Sequence, residues 1–546
     1  MSNFEFSRKY AEVIVPKRSG FDKSFKNLLT TKVGTITPIL CDEVIPNTKV
    51  YLKTAINACL PPLASETFMN CNLKIEAFFV PMRQLYGGFE SWLTGEKVPS
   101  TGNPNGSYVQ VGLPTLKIDS SSVSSAVIGA GTLVDYLGYK LTTTDVQAIG
   151  STSAYFNLMP ILAYHWIYDN WYRNSLVQNP IFTKPISSSN PQYIASLPFT
   201  RVGTSSTPSF TLLNQFPDGV YLGQLRQRNF DLDYYTTATP SAQVGNPQSV
   251  TMNITIPSSG TSTSTSFSIP ALRAANTLQQ FAERQNLAGF RLVDYVKSNY
   301  GANLSDGMAQ RPLFLGQQTI TVYTKGVNQT AALGTTVSNN PFDTVGAQYG
   351  KAVIVGSGNL IDNFVANEPG YIFVNATLVP KVTYATGVLR QNMHFNSNTS
   401  QVDMANPLLQ NTGNQPIYQG ELNATKACAG STDVFGYTDR FAEYMTREDE
   451  LHGLVRDGES LQAFALQRTF AGNVTINNSF LQIPTTYMDQ VTATTADISS
   501  YGCWMDCYFN YKVSMPLAEY SIPSLQDPAY EHGEKVTVKR GGTSVY

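Results

Sequence analysis

Four histidines, His165, His394, His452 and His532, are spread along the chain, and none has a second His or a Cys at the short spacing a tetrahedral metal site needs. The six cysteines (Cys41, Cys59, Cys71, Cys428, Cys503, Cys507) are scattered too. Only Cys503 and Cys507 are close, and they fall in an alternating segment where four strand residues cover about 13 Å, beyond the roughly 7 Å between Cα atoms that a disulfide tolerates. Met1 to Tyr10 is polar, with no apolar run behind it to read as a secretory leader, so the thiols are expected to stay free in a reducing compartment. The densest carboxylates, Glu443, Glu448, Asp449 and Glu450, are a pattern that could serve glycoside hydrolysis. Arg447 and Arg456 flank them, which favours a salt-bridged or solvated face. There is no G-x-S-x-G elbow, no Walker A loop and no G-x-G-x-x-G after a strand; Gly356-Ser357-Gly358 reads as a loop. His165, inside an apolar aromatic stretch, reads as a satisfied structural imidazole. Neither a catalytic site, a metal site nor a cofactor is expected.

The remaining chemistry is charge neutralisation. The formal net charge is only −2, so the whole chain is not a polycation. The charge is uneven, however. In residues 1–32, Arg8, Lys9, Lys17, Arg18, Lys23, Lys26 and Lys32 outnumber Glu5, Glu12 and Asp22, and near the other end Lys535, Lys539 and Arg540 stand without an acid. A basic N-terminal arm (1–32) and a C-terminal tail (525–546) are therefore expected, with two readings: contact with nucleic-acid phosphates, which needs only exposed Lys and Arg, or solvated ends that brace neighbouring molecules. The candidate nucleic-acid contacts are Arg8, Lys9, Lys17, Arg18, Lys535, Lys539 and Arg540.

The elements that must position these residues are mostly strands. In Lys49–Ala58, Val50, Leu52, Ile56 and Ala58 share one face; in Asn72–Val80, Leu73, Ile75, Ala77 and Phe79 alternate with Asn72, Lys74 and Glu76. Tyr371–Val379 is apolar on nearly both faces, as a strand buried between layers would be. Met505, Cys507, Phe509, Tyr511 and Val513 alternate with Trp504, Asp506, Tyr508, Asn510 and Lys512. These strands lie so far apart that a shared sheet system implies a discontinuous domain. Helical spacing appears at Leu272, Ala275, Leu278 and Ala282, with Ser268 as N-cap and Pro270 in the first turn, at Phe290–Tyr300 with Gly301 closing it, and at Leu158–Leu176. Leu158–Tyr168 is too short to span a bilayer. Between the elements run Ser/Thr/Gly/Asn-rich tracts, Pro99–Gly131, Ser187–Pro208, Ala238–Ser268 and Gly326–Gly350, too long for ordinary connections. Charged residues are only 14% of the chain while Tyr (30) and Phe (28) are abundant, a balance that suits extensive protein–protein contact.

Several motifs occur in a fixed order. Phe21-Asp22-Lys23-Ser24-Phe25 is followed by Asp42-Glu43-Val44-Ile45-Pro46, then Glu76 to Arg83 (EAFFVPMR), Trp92 with Gly95-Glu96, Leu133 to Gly138 (LVDYLG), and Ala163-Tyr164 with Asp169 to Arg173 (DNWYR). Asp233 to Thr236 (DYYT), Leu272-Arg273 with Glu283-Arg284, Gln310-Arg311-Pro312 with Leu315-Gly316, and Met515-Pro516 with Tyr520 to Pro523 (YSIP) complete the series. Read together, the chain resembles the major capsid proteins of microviruses, especially the gokushovirus-like branch. Asn47 and Ser524 stand where that family has Gly, and the polar inserts do not align with it.

The resemblance implies a mainly β fold, an eight-stranded antiparallel jelly roll of the viral-capsid type, forming a single discontinuous domain over 1–546 with long insertion loops and a few helices. It further implies a non-enzymatic protein of the virion that assembles in the host bacterial cytoplasm. Identical subunits would form a T=1 icosahedral shell around circular single-stranded DNA held on the inner face. Other virion proteins and a host surface receptor are the further partners implied, and no membrane. A polar β-rich surface lectin or adhesin is a second class, disfavoured by the missing leader. A β-sandwich glycosidase is a third, disfavoured by the lack of a defensible carboxylate pair.

Overall fold

Period-two alternation becomes two facing sheets. The computed structural model describes residues 10–15, 18–95, 97–99, 108–120, 124, 126–150, 152–183, 194–199, 208–245, 269–288, 291–328, 348–394, 405–493, 502–517 and 534–539. In chain order the strands begin with β1 (Tyr10–Val15), β2 (Ser19–Asp22), β3 (Phe25–Thr31), β4 (Thr37–Val44), β5 (Thr48–Cys59) and β6 (Cys71–Pro81). The short β7 (Lys97–Pro99), β8 (Tyr108–Gln110), β9 (Thr115–Ile118), β10 (Ala154–Asn157) and β11 (Ser209–Phe210) follow. Then come β12 (Leu313–Thr321), β13 (Tyr323–Asn328), β14 (Gln348–Ala366), β15 (Gly370–Pro380), β16 (Gln415–Tyr418), β17 (Val434–Thr438), β18 (Cys503–Met515) and β19 (Glu534–Lys539).

One sheet has the order β12-β6-β15-β4. The other runs β13-β14-β5-β18-β2, with β3 also paired to β18. Every pairing within them is antiparallel. Between the sheets lies the main core: Val50, Leu52, Ile56 and Ala58 of β5 and Met505, Cys507, Phe509 and Tyr511 of β18 face Leu73, Ile75 and Phe79 of β6 and Ile372, Val374 and Leu378 of β15. Strands far apart in the sequence share one sheet: Met505 of β18 pairs with Ala58 of β5. Gly356-Ser357-Gly358 is not the expected loop but the middle of β14. A Cβ on Gly356 would sit 2.8 Å from the Ile320 side chain and one on Gly358 2.9 Å from Gln318. The glycines let the edges of the two sheets close on each other, where a side chain would hold them apart.

The segment 82–312 between β6 and β12 contains α1 (Phe89–Thr94), α2 (Leu133–Tyr136), α3 (Thr143–Ala148), α4 (Met159–Ile167), α5 (Ile269–Ala288) and α6 (Leu292–Tyr300). Gly301 caps α6 in the left-handed conformation, φ 67°, as its position in the sequence suggests. The helix α4 is buried on every side, which its all-round apolarity demands, and it passes into a π turn at Tyr168–Tyr172 rather than running on to Leu176. It builds a second core on the outward face of the four-stranded sheet, against Phe78, Val80, Tyr371 and Phe373. This corrects the expected polar face of β6. Glu76 is buried, receives Arg228 Nη1 at 2.6 Å and Nη2 at 3.0 Å, and accepts a hydrogen bond from Tyr172 Oη at 2.6 Å, so the pair joins sheet to insertion. A third core, with Tyr234, Tyr235, Ile417, Phe435 and Phe480, joins the 230s to the segment 381–502.

Within the expected arm of 1–32, Ser19–Asp22 and Phe25–Thr31 are sheet strands. The basic Lys23 there bonds Asp42 at 2.5 Å and Lys26 pairs with Asp506 at 2.8 Å. Ser187–Pro208, Ala238–Ser268 and Gly326–Gly350 lie largely outside the described residues, whereas most of Pro99–Gly131 is described and carries β8 and β9; Ile194–Phe199 is a 3-10 turn, and the ends of Gly326–Gly350 belong to β13 and β14. Among the described residues no helix is long and apolar enough to cross a membrane.

Candidate assembly and nucleic-acid surfaces

Helical spacing brings Leu272, Ala275, Leu278 and Ala282 into α5, as the sequence suggests, but they do not share one environment. The helix turns Ala282 and Asn286 toward its own subunit: Asn286 Nδ2 donates to the Ser241 carbonyl at 2.6 Å, and Val244 N donates to the Ala282 carbonyl at 3.3 Å. Gln279, on the same stripe, donates to Glu283 Oε1 at 2.8 Å. Leu272, Leu278 and Phe281 are left 56%, 53% and 42% exposed. The helix thus packs inward through small and polar side chains and offers its bulky apolar ones to solvent. Leu292, Tyr300 and Met308 of the following segment are exposed as well. Several bulky apolar side chains exposed on one helix make it a candidate interaction surface.

The candidate basic residues separate. Arg8, Lys9, Lys17 and Arg540 lie outside the described residues. Lys535 and Lys539 belong to β19, whose backbone pairs antiparallel with β1, Lys535 across from Ile14 and Lys539 across from Tyr10. The two chain ends therefore meet in one ribbon, a pairing that no local sequence signal announces. Arg18 is exposed and donates to Asn47 Oδ1.

The acidic cluster is salt-bridged, as its flanking cations suggest, and more buried than expected. Asp449 pairs with Lys381 at 2.7 Å, Glu450 with Arg447 at 2.7 Å and His452 at 3.0 Å, and Glu448 accepts the Tyr234 N–H at 2.9 Å. Arg456 instead donates to the Ala385 carbonyl at 3.3 Å. At the centre is Glu421, absent from the sequence reading because its partners come from distant segments. It is buried and accepts from Arg390 Nη1 at 3.2 Å, Tyr418 N at 2.9 Å and Tyr234 Oη at 3.1 Å. Burial pushes its carboxyl up to about 7 against the pull of Arg390. The adjoining cavity, about 100 Å³, is smaller than the roughly 300 Å³ from which ligand pockets begin.

His165 is a structural imidazole. Its Nδ1 accepts from Arg226 Nε at 3.0 Å, which leaves Nε2–H to donate to the Leu222 carbonyl at 2.9 Å. Burial, with Arg226 alongside, holds its pKa well below the ordinary histidine value. All six cysteines are free thiols, and burial pushes those of Cys71 and Cys503 up. Among the described residues no group of three or more His, Cys, Asp or Glu is placed to hold a metal ion.

The sequence matches the family described as Capsid protein (F protein) over residues 13–262 and 258–525. It is 25% identical over 604 residues to Capsid protein VP1 of Chlamydia phage 1, covering 93% of this chain and 96% of that protein. To Capsid protein VP1 of Bdellovibrio phage phiMH2K it is 23% identical over 544 residues, covering 93% and 95%. A match to Capsid protein VP1 of Spiroplasma virus 4, 25% identical, covers 48% of this chain and 47% of that one.

Proposed function

The chain belongs to the phage capsid protein (F protein) family, a structural component of the virion rather than an enzyme, and from that premise we propose that it self-assembles into a T=1 icosahedral shell enclosing circular single-stranded DNA. Eight strands support a jelly-roll reading of the fold. Taken in chain order as β3, β4, β5, β6, β12, β14, β15 and β18, they form the four-stranded arrays β3-β18-β5-β14 and β4-β15-β6-β12, the two-sheet arrangement that viral capsid domains use. On this reading β2 and β13 are additions, and the whole chain is one domain with large insertions.

The observation that supports assembly is α5, whose Leu272, Leu278 and Phe281 are only half covered within their own subunit. Sister copies would cover the rest. Interfaces repeated around symmetry axes can each be weak because many form at once. Assembly takes place in the host bacterial cytoplasm, beside other virion proteins, and outward loops meet the host receptor. Arg8, Lys9, Lys17 and Arg18 near one terminus and Lys535, Lys539 and Arg540 near the other are the proposed terminal contacts with the enclosed DNA.

The test is to express the chain with and without Leu278→Glu and Phe281→Glu and to image both by electron microscopy. The parent is expected to give closed uniform shells. The variant is expected to stay unassembled with an unchanged circular dichroism spectrum, since both side chains already face water. Shells from the variant as abundant as the parent's would remove α5 from the interface. A parent that stays monodisperse at high concentration would remove the proposal.

A further inference from the structure

The six-stranded sheet buries one face in the sandwich, and its other face is open. Lys26, Lys49, Lys53, Lys325, Lys351 and Lys512 all lie on that open face and are exposed. Interleaved with them stand Trp504 (46% exposed), Tyr508 and Tyr323, while Lys53 Nζ lies 5.5 Å over the Tyr51 ring. The acids of this face are fewer: Asp506, held by Lys26 at 2.8 Å, with Asp22 and Asp362. Between the aromatics β5 presents only Ala55, Asn57 and Cys59, a low shelf beside Trp504 and Tyr508. Beyond β3, the segment around Gly131–Lys140 walls a cavity of about 780 Å³ against Leu28, Thr30 and Trp504, within the size range of small-molecule sites.

The cross-strand register identifies the class of partner. Lys325 and Lys351 are directly opposite each other, and like charges so placed repel. A polyanion relieves that repulsion; an apolar protein surface does not. Leu28, Val327 and Val355 are also exposed on this face, but protein interfaces are depleted in Lys at their centres, and its six lysines set it apart from the apolar surface of α5. Lysines tracking a chain of phosphates, with aromatic rings for flat bases, are the combination that binds single strands, whose bases are free to stack on side chains.

We propose that this open sheet face is the lining on which the packaged single-stranded DNA lies, with bases on Trp504 and Tyr508 and phosphates on the lysines. The inference rests on the capsid reading for the source of the DNA but is tested apart from it. The full chain, held unassembled by Leu278→Glu and Phe281→Glu so that this face is reachable, is titrated with a fluorescein-labelled oligothymidylate of 20 nucleotides, following anisotropy across a salt series, and each preparation is matched for imaging by one without those two changes. Trp504→Ala is expected to weaken binding about tenfold or more, since stacking contributes ~1–3 kcal/mol per base. The double change Lys325→Gln, Lys351→Gln is expected to flatten the slope of log K against log salt by about 1.4, from ~0.7 per phosphate lost. Lys297→Gln, exposed on α6 and off this face, is expected to change neither. Parent-like binding by both face variants, no binding by the parent, or loss confined to Lys535→Gln, Lys539→Gln, Arg540→Gln would each overturn the proposal. Micrographs of the matched preparations keep the two readings apart. Shells with binding indifferent to the face variants defeat this inference alone, whereas face-dependent binding without shells in the matched preparations defeats only the capsid reading.

Discussion

On the outward side of β6 and β15, Phe78, Val80, Tyr371 and Phe373 are buried beneath α4 and its neighbours, while on the outward side of β5 and β18, Trp504 and Tyr508 stand among lysines without such cover. Both faces carry aromatic residues from strands of the same sandwich. They differ in what surrounds those residues. Where the flanking positions are apolar, the chain supplies its own lid from 82–312, and Glu76 with Arg228 fastens it. Where the flanking positions are lysine and small polar residues, the described residues supply none. Aromatic content alone therefore does not tell a core from a binding face; the charge interleaved with it does.

Three measurements would break or sharpen this contrast. The largest effect is expected from truncating matched aromatics. Phe373→Ala, fully buried under the insertion, is expected to cost about 3–5 kcal/mol in denaturant unfolding, against no more than ~0.5 kcal/mol for Trp504→Ala. Equal losses would mean that the open face is core after all. A middle-sized effect separates a polar core from an apolar one. Glu421 in the third core has a folded pKa of about 7 against an ordinary 4.5, so the folded chain takes up a proton between those values. Its contribution to stability rises as pH falls through that window, by up to about 1.4 kcal/mol per unit. Glu421→Gln should flatten this dependence when unfolding midpoints at pH 7.5 and 5.5 are compared, and an unchanged pH profile would show that Glu421 is ionised in the fold. The smallest effect belongs to the open face. Lys351→Gln relieves the repulsion with Lys325 and is expected to raise stability by about 0.2–1 kcal/mol at low salt, fading as salt screens the pair. A loss of stability at low salt would show instead that Lys351 has a stabilising partner.

Much of the sandwich is legible in single segments. β5, β15 and β18 are read correctly because their alternation, or its absence in β15, records burial directly. Misreadings occur where a residue's partner is remote. Glu76 looks like a solvent-facing residue until Arg228 and Tyr172 arrive from the insertion. Gly356 and Gly358 look like a loop until Ile320 and Gln318 are seen against them. In α5 the spacing announces a helix, but Leu272 and Leu278 are exposed while Ala282 is buried, because the helix is tied to 241–244 through Asn286 and the Ala282 carbonyl. Glu421 has no local signature at all.

Residue types a few positions apart were enough to reveal strands β5, β6, β15 and β18, the wide spacing of the cysteines and the family resemblance. Only the tertiary structure decided which strands pair, which sheet face is covered and which way α5 turns. Those outcomes depend on contacts between residues hundreds of positions apart, such as Phe25 stacked on Phe509 at 4.9 Å, and short-range periodicity sets which side chains share a face without specifying what that face will meet.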